Sequence, residues 1–489
     1  MSALTPVPIA ALPLERFAPV IGDPAYRRLM DRFARGRDLL GGHAMWNVNS
    51  TARGGGVAEM LVSLLAYGRG AGIDARWEVI RGDEAFFTVT KRIHNHLHGA
   101  AGDGRPLDGE ARAVYEAVTR AAGEDLANRI VPGDVVLLHD PQTVGMIPVL
   151  KRLGVPVVWR CHVGIDDPDG LTRRAWGFLR DYVRQADAYV FSRRQYVWGD
   201  LDPAKTVLIA PSIDAFSAKN QELSQAQVSG ILSAAGLQDS DPAVDGDASF
   251  ARLDTSPGRV ERPAEADQGR PLRPDDVMVL QVSRWDGLKD PLGVIDGFVR
   301  HVLPNSKAHL VYAGPSVEAI ADDPEGRSVL AAAREYYGAL SDEARERVHL
   351  VTLPMTDLEE NAAVVNALQR RAHVVVQKSI AEGFGLTVAE AMWKSRPVVA
   401  SRIGGIQDQI EDGRSGWLVG PRDLAAYGNA VVRLAGDPRA AAAMGGLARL
   451  RVRGGYLGSR SLLQYIALFE RLLLGEGAPA EVSAPAGYA

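Results

Sequence analysis

The stretch VMVLQVSRWDGLKDPLGVIDGF, residues 277–298, passes from an apolar, β-branched run through a polar loop into a segment of helical period that opens at Pro291. Proline suits a first helical turn, because the N–H it lacks would be unpaired there anyway. Toward the C-terminus the same unit recurs. AHLVYAG, RVHLVTL, AHVVVQK and PVVAS are apolar runs, each followed by a helical stretch. Toward the N-terminus, HAMWNVN (residues 43–49) leads into a helical segment over 57–71, and apolar runs follow at 134–138, 155–159 and 188–191. Alternation of this kind predicts parallel sheets covered by helices on both faces.

The pattern runs once through the first half and restarts at Val277, so the expected fold class is α/β, with two Rossmann-like doubly wound domains facing each other across a cleft. The boundaries read as 1–220 for the first domain and 221–458 for the second, with a helix over 459–475 returning to the first. Residues 238–276 are dense in Asp, Pro, Gly and Ser and are expected to form a flexible connector. The tail after Leu474 is similar in composition and is expected to fray.

Composition narrows the function. At 489 residues the chain is too long for a single core. Its net charge of −5 gives no field for gathering nucleic acid or anionic lipid. With 46% apolar and 24% charged residues it is neither disordered nor fibrous. Cys161 is the one cysteine, so no intramolecular disulfide can form. No signal-peptide pattern or membrane-length apolar run is visible, and a cytoplasmic protein is expected. The sequence allows a homodimer without specifying one.

In an open parallel sheet, ligands sit at the carboxyl ends of the strands. After the first strand, Gly54, Gly55 and Gly56 lead straight into a helix, where free N–H groups and the helix dipole favour an anion. The pattern is neither a Walker lysine loop nor a GxGxxG, so nucleotide hydrolysis and hydride transfer lose support. His139 and Asp140 end one run; Cys161 and His162 end the next, with Asp166 nearby. In HNHLHG (residues 94–99) three histidines would share a face if extended, but no carboxylate or thiol completes a metal set. Hydroxyl recognition by His94 and Asn95 is the better reading, and no metal site is expected.

The second half is more explicit. Arg284 and Lys289 share one strand-to-helix loop and could clamp a diphosphate. In IAEGFGLTVAEAM (residues 380–392), Gly383 and Gly385 expose N–H groups before a helix, with Phe384 and Leu386 framing them. Glu382 is placed for sugar hydroxyls and Glu390 for the two hydroxyls of a ribose. Gly404 and Gly405 follow the next run, at the same edge.

Together, the Arg-Trp-Asp-Gly-Leu-Lys loop and the Glu382 to Glu390 signature resemble the donor site of retaining glycosyltransferases of family 4, which have the GT-B fold. HNHLHG, HDPQ, WRCH and PSIDAFSAKN are similar to trehalose glycosyltransferring synthases within that family. The resemblance implies transfer of glucose from ADP-, UDP- or GDP-glucose to free glucose, reversibly, giving α,α-trehalose with retained configuration. It assigns Arg284 and Lys289 to the diphosphate, Glu390 to the ribose, and Glu382 with the 383–385 amides to the transferred glucose. Gly55 and Gly56 go to the leaving phosphate and His162 to a place beside the reacting sugar. His94, Asn95, His139, Asp140 and Asp166 then serve the acceptor. The nucleotide sugar is a substrate, no cofactor is tightly bound, and a divalent cation such as Mg2+ is expected at most to stimulate. A trehalose phosphorylase, another family 4 transferase with a different sugar acceptor, and a binding-only regulator are the competing readings.

Overall fold

A computed structural model describes residues 2–52, 55–241, 243–317 and 324–475. Gly54 of the glycine loop and the tail beyond residue 475 lie outside the described residues. The chain divides into two units: Met1–Ser212 together with the segment from Tyr456, and Ile213–Gly455. Residues 213–220 go with the second unit, where Asn366 Nδ2 donates to Ala218 O (3.0 Å) and Lys394 Nζ donates to Asn220 Oδ1 (2.9 Å).

In the first unit the strands are β1 (Leu4–Pro6), β2 (Ala44–Asn49), β3 (Asp74–Ile80), β4 (Val135–His139), β5 (Val157–Cys161), β6 (Ala188–Phe191) and β7 (Thr206–Leu208). They form one sheet in the order β1-β3-β2-β4-β5-β6-β7, with β1 antiparallel and every other pair parallel. The strand order reverses between β2 and β4, so the loops after these two strands diverge and leave a crevice at their carboxyl ends. Trp159 is fully buried against Trp198 and Phe191, with ring centroids 5.2 and 5.7 Å apart. Its Nε1 donates to Asp140 O (3.1 Å), so this core anchor also fixes the turn after β4. The helix Gly458–Leu474 belongs to this unit, joined to it by Ser461 Oγ donating to Ser212 Oγ (2.9 Å) and by an Arg32–Glu470 ion pair.

The second unit repeats the plan. Its strands are β8 (Ser249–Ala251), β9 (Pro257–Arg259), β10 (Glu265–Asp267), β11 (Met278–Val282), β12 (His309–Pro315), β13 (Val348–Leu353), β14 (Val374–Gln377), β15 (Val398–Ser401) and β16 (Trp417–Val419). The main sheet runs β10-β13-β12-β11-β14-β15-β16, again parallel except for an antiparallel edge strand, and its order reverses between β11 and β14. Trp285 is buried and stacked on Tyr312 at 5.0 Å, and donates from Nε1 to Pro315 O (3.1 Å). The loop that carries Arg284 and Lys289 is therefore pinned to the core by the residue between them.

The expected flexible connector is instead a structured part of the second unit. β8 and β9 form a hairpin, and β10 pairs with β13. Phe250, Val260 and Leu272 are buried. The charges that make this stretch look disordered have partners on a distant helix, Leu358–Arg371, and at its cap. Arg252 Nη2 lies 2.6 Å from Asp357 Oδ2, and hydrogen bonding to Arg252 is the main reason the Asp357 carboxyl falls to a pKa of about 2. Glu360 Oε1 accepts from the backbone N–H groups of Glu261 and Arg262, each at 2.7 Å. Composition registered the polar residues; it could not register partners about a hundred positions away in sequence.

Limited proteolysis of the native protein should spare residues 249–267, because cleavage requires local opening and this stretch is paired, first as a hairpin and then on the edge of the main sheet. Trypsin cutting after Arg252 or Arg259 at rates typical of an exposed linker, seen by mass spectrometry, would contradict this placement.

Candidate active site

The loops after β11 and β14 meet at the point where the second sheet reverses, and buried glutamines fasten them together. Gln281, near the end of β11, donates from Nε2 to Lys289 O (3.0 Å), and its Oε1 accepts from Lys378 N (3.0 Å). Gln377, the last residue of β14, donates to Ser283 Oγ (3.0 Å) and accepts from Thr387 Oγ1 (2.9 Å). Both glutamines are almost wholly buried, so each unmade bond would cost about 1–3 kcal/mol, enough to hold the loops to one arrangement. Lys378, which is also buried, pairs with Asp290; that aspartate has φ 51° and caps the helix Pro291–Gly297 through Gly293 N. These four residues escaped sequence reasoning. The available signal was a polar residue at the end of two otherwise apolar strands, VMVLQVS and HVVVQKS.

On this frame Lys289 Nζ lies 2.6 Å from Glu382 Oε2, and both side chains are mostly buried. Arg284 is more exposed and pairs with Asp286 Oδ2 at 2.9 Å. The structure thus joins Lys289 to Glu382, whereas the Arg284 guanidinium is held by its own loop. Gly385 has φ 81° and precedes the helix Leu386–Trp393, a conformation that an L side chain rarely adopts. Gly383 O accepts from Gly405 N at 2.9 Å, and a Cβ on Gly405 would come within 2.8 Å of the Phe384 backbone. Gly404-Gly405 therefore supports the 383–385 loop. Leu386 opens the helix and Phe384 is buried beneath it.

Glu390 is 3% exposed. Its Oε1 lies 3.8 Å from Lys219 Nζ, while Oε2 has no partner among the described residues. One helical turn on, Lys394 Nζ donates to Gln369 Oε1 (2.7 Å) and to Glu390 O (3.2 Å). Burial holds the Lys394 ammonium well below its ordinary pKa. A buried carboxylate with one oxygen beside an ammonium and the other unmatched is suited to accepting a hydrogen bond from a ligand hydroxyl.

The first unit gathers a second set at the ends of β2, β4 and β5. Gly55 has φ 85° and caps the helix Gly56–Gly70. His139 Nε2 lies 3.1 Å from Asn47 Oδ1, and His139 Nδ1 lies 3.3 Å from His162 Nε2. With the Asn47 oxygen accepting, neutral His139 donates from Nε2, and its Nδ1 accepts from His162. Burial, with the nearby Arg160 charge, pulls His139 down to a pKa of about 3 and His162 well below 6.5. Asp140 sits at φ 61°, accepts from His162 N at 2.8 Å, and is pushed by burial up to about 7. Asp166 is paired with Arg193 at 2.5 Å.

HNHLHG is not extended. Residues 94–97 finish the helix Glu84–Leu97, so His94 and His98 fall one turn apart and their rings meet at 4.9 Å. Asn95 packs against Gly102, and Gly99 lies against Ile165 and Asp169, which ties this turn to the loop after β5. Cys161 is buried and its thiol pKa is raised by burial, so it stays a thiol. Among the described residues no group of three or more His, Cys, Asp or Glu could hold a metal ion, and no helix is long and apolar enough to cross a membrane.

Comparison with known proteins agrees with this geometry. Residues 47–198 match the family "Trehalose synthase, N-terminal domain", and residues 284–437 match "Glycosyl transferases group 1". The trehalose synthase of Rubrobacter xylanophilus is 36% identical over 92% of this chain and 96% of its own. The trehalose phosphorylase of Pleurotus pulmonarius is 27% identical over 86% of this chain and 56% of its own. Among solved structures, a UDP-forming α,α-trehalose-phosphate synthase from Burkholderia vietnamiensis superposes with a TM-score of 0.64 at 16% identity, over 88% of this chain and 98% of that one. Two Rossmann-like units with this edge chemistry define a glycosyltransferase of the GT-B class. Within that class, the chain belongs to the trehalose synthase family.

The perturbed groups give opposite pH signatures. The folded pKa of His139 is depressed from 6.5 to about 3, so the unfolded chain binds the proton first and stability falls as pH drops from about 6.5 toward 3. For Asp140 it is raised from 3.8 to about 7, so stability falls as pH rises from about 4 to 7. Ring NMR should find His139 and His162 neutral at pH 5, and Asp140→Asn should flatten the loss of stability between pH 4 and 7. A histidine midpoint near 6.5, or an unchanged slope in the variant, would contradict the assignment.

Proposed function

We propose that the chain is a retaining glucosyltransferase that moves glucose from ADP-, UDP- or GDP-glucose to free glucose, giving α,α-trehalose and a nucleoside diphosphate, reversibly. The observation that carries this reading is the set at the reversal point of the second sheet: Lys289 paired with Glu382, the Gly385 helix start, and buried Glu390 with an unmatched Oε2.

Expulsion of a diphosphate from an oxocarbenium-like carbon is the costly step, so fixed positive groups aimed at the leaving oxygens contribute most. Lys289 and Arg284 take that role, and the N–H groups at 383–385 and at Gly55 and Gly56 add to it. When the donor binds, Lys289 exchanges part of its pairing with Glu382 for the diphosphate, and Glu382 turns to the glucose hydroxyls. Glu390 accepts from the ribose. In the first unit, Asp140 and His162 receive the acceptor, with His94, Asn95 and Asp166 shaping its surroundings. The leaving phosphate itself takes the acceptor proton, so no protein nucleophile is needed. A divalent cation acts at most by accompanying the diphosphate. Buried, reduced Cys161 fits a cytoplasmic setting.

Incubation with a nucleoside diphosphate glucose and glucose should yield a non-reducing disaccharide whose two anomeric carbons are both α by NMR. Arg284→Ala and Lys289→Ala should each lower kcat/KM by about a hundredfold or more, the size of loss expected when a leaving-group stabiliser is removed. Near-normal turnover in either variant would remove the diphosphate clamp. Product formation from glucose 1-phosphate in place of the nucleotide sugar would move the assignment to a phosphorylase.

A further inference from the structure

The strand that ends in Cys161 and His162 carries an arginine whose partners do not add up. Arg160 is 0% exposed; its Nη1 donates to Phe191 O at 3.4 Å, while Nε and Nη2 have no partner among the described residues. Other buried guanidiniums in this unit are matched by carboxylates: Arg92 binds Asp103 through two nitrogens, and Arg193 binds Asp166. Burying an arginine without such a match is among the costliest arrangements in a protein interior.

A second guanidinium reaches the same place. Ile209 N donates to Phe191 O at 2.9 Å, the carbonyl that Arg160 also approaches. At the following residue, Ala210 O accepts from Arg460 Nη2 at 2.6 Å. Arg460 comes from the helix Gly458–Leu474, bonds to Gln464 through Nη1, and leaves a buried Nε unpartnered. Burial, with the neighbouring Arg160 charge adding to it, pushes Arg460 down to about 10. Ser192, just past β6, has a buried hydroxyl with no partner among the described residues. Asn47 Nδ2, beneath His139, is in the same condition. Each nitrogen in this set is a hydrogen-bond donor, and the two guanidiniums bring two positive charges with no carboxylate bonded to them.

We propose that Arg160, Arg460 and Ser192 form a binding site for a small anion at the carboxyl end of β5 to β7. The ligand is a halide or compact oxyanion, either free in solution or carried as the phosphate of a sugar. The Arg160 side is sealed, whereas Arg460 is half-buried and gives the site its approach. This assignment does not depend on the donor chemistry of the second unit.

The test is thermal unfolding of the full chain at constant ionic strength, with gluconate replaced by chloride, by inorganic phosphate or by glucose 6-phosphate. A site at hundredfold saturation should raise Tm by roughly 3–5 °C. Arg160→Met and Arg460→Met should lose the shift, whereas the exposed control Arg300→Met should keep it. A shift with chloride or phosphate identifies a free ion, and a shift with glucose 6-phosphate alone identifies a phosphorylated sugar. Crystals of the unmodified protein soaked in bromide read the site even if Arg160→Met fails to fold, and should show an anomalous peak within hydrogen-bonding distance of Arg160. Absence of any anion-dependent shift together with absence of that peak would overturn the proposal and leave water as the partner of these donors. A shift that persists equally in both variants would overturn it as well.

Discussion

A parallel strand covered on both faces can carry unpaired polar side chains only near its ends, and this constraint organises both halves of the chain. Along β11 and β14 the interior residues are apolar, and the first polar side chains, Gln281 and Gln377, are spent on fastening the two loops that follow. In the first unit His139 and Arg160 stand side by side near the ends of β4 and β5, with Asn47 two residues lower on β2, level with Leu137. Because each sheet reverses its strand order once, these strand ends border one crevice per unit.

The two edges differ in electrostatics, and the difference suits different partners. In the second unit, charges are matched in pairs that a ligand can reopen: Lys289 with Glu382, Arg284 with Asp286, Lys219 beside Glu390. Such a site meets a charged ligand by exchanging partners, with no bare charge held in its absence. Around His139, Asp140 and His162 the first unit keeps its histidines neutral and its aspartate pKa high, so this cluster offers hydrogen bonds rather than charge. Neutral sugar hydroxyls need no more than that.

Most of the fold was legible in the sequence, because apolar runs alternating with helical period leave little choice of architecture. The site residues at strand ends were legible for the same reason, since a strand's last residues face the crevice. What escaped depended on partners far away in sequence. The acidic and Pro-rich stretch over 238–276 looked mobile because its ion-pair partners lie on the helix Leu358–Arg371. HNHLHG became the end of a helix, held by packing of Gly99 against Ile165 and Asp169. Arg160 was hidden inside an apolar run, where a single basic residue among valines and tryptophan gave no sign of its missing counter-charge.

The central claim is that the second unit holds a nucleotide sugar through both its diphosphate and its ribose. Calorimetric titration of the wild type and Glu390→Gln, each with a nucleoside diphosphate glucose and with glucose 1-phosphate, addresses it most directly. The account predicts that the nucleotide sugar binds the wild type well and Glu390→Gln about tenfold or more weakly, the worth of a hydrogen bond to a charged group. Glucose 1-phosphate should bind weakly and without regard to the substitution. Equal affinity of the two ligands, or a nucleotide-sugar affinity that Glu390→Gln leaves untouched, would contradict it.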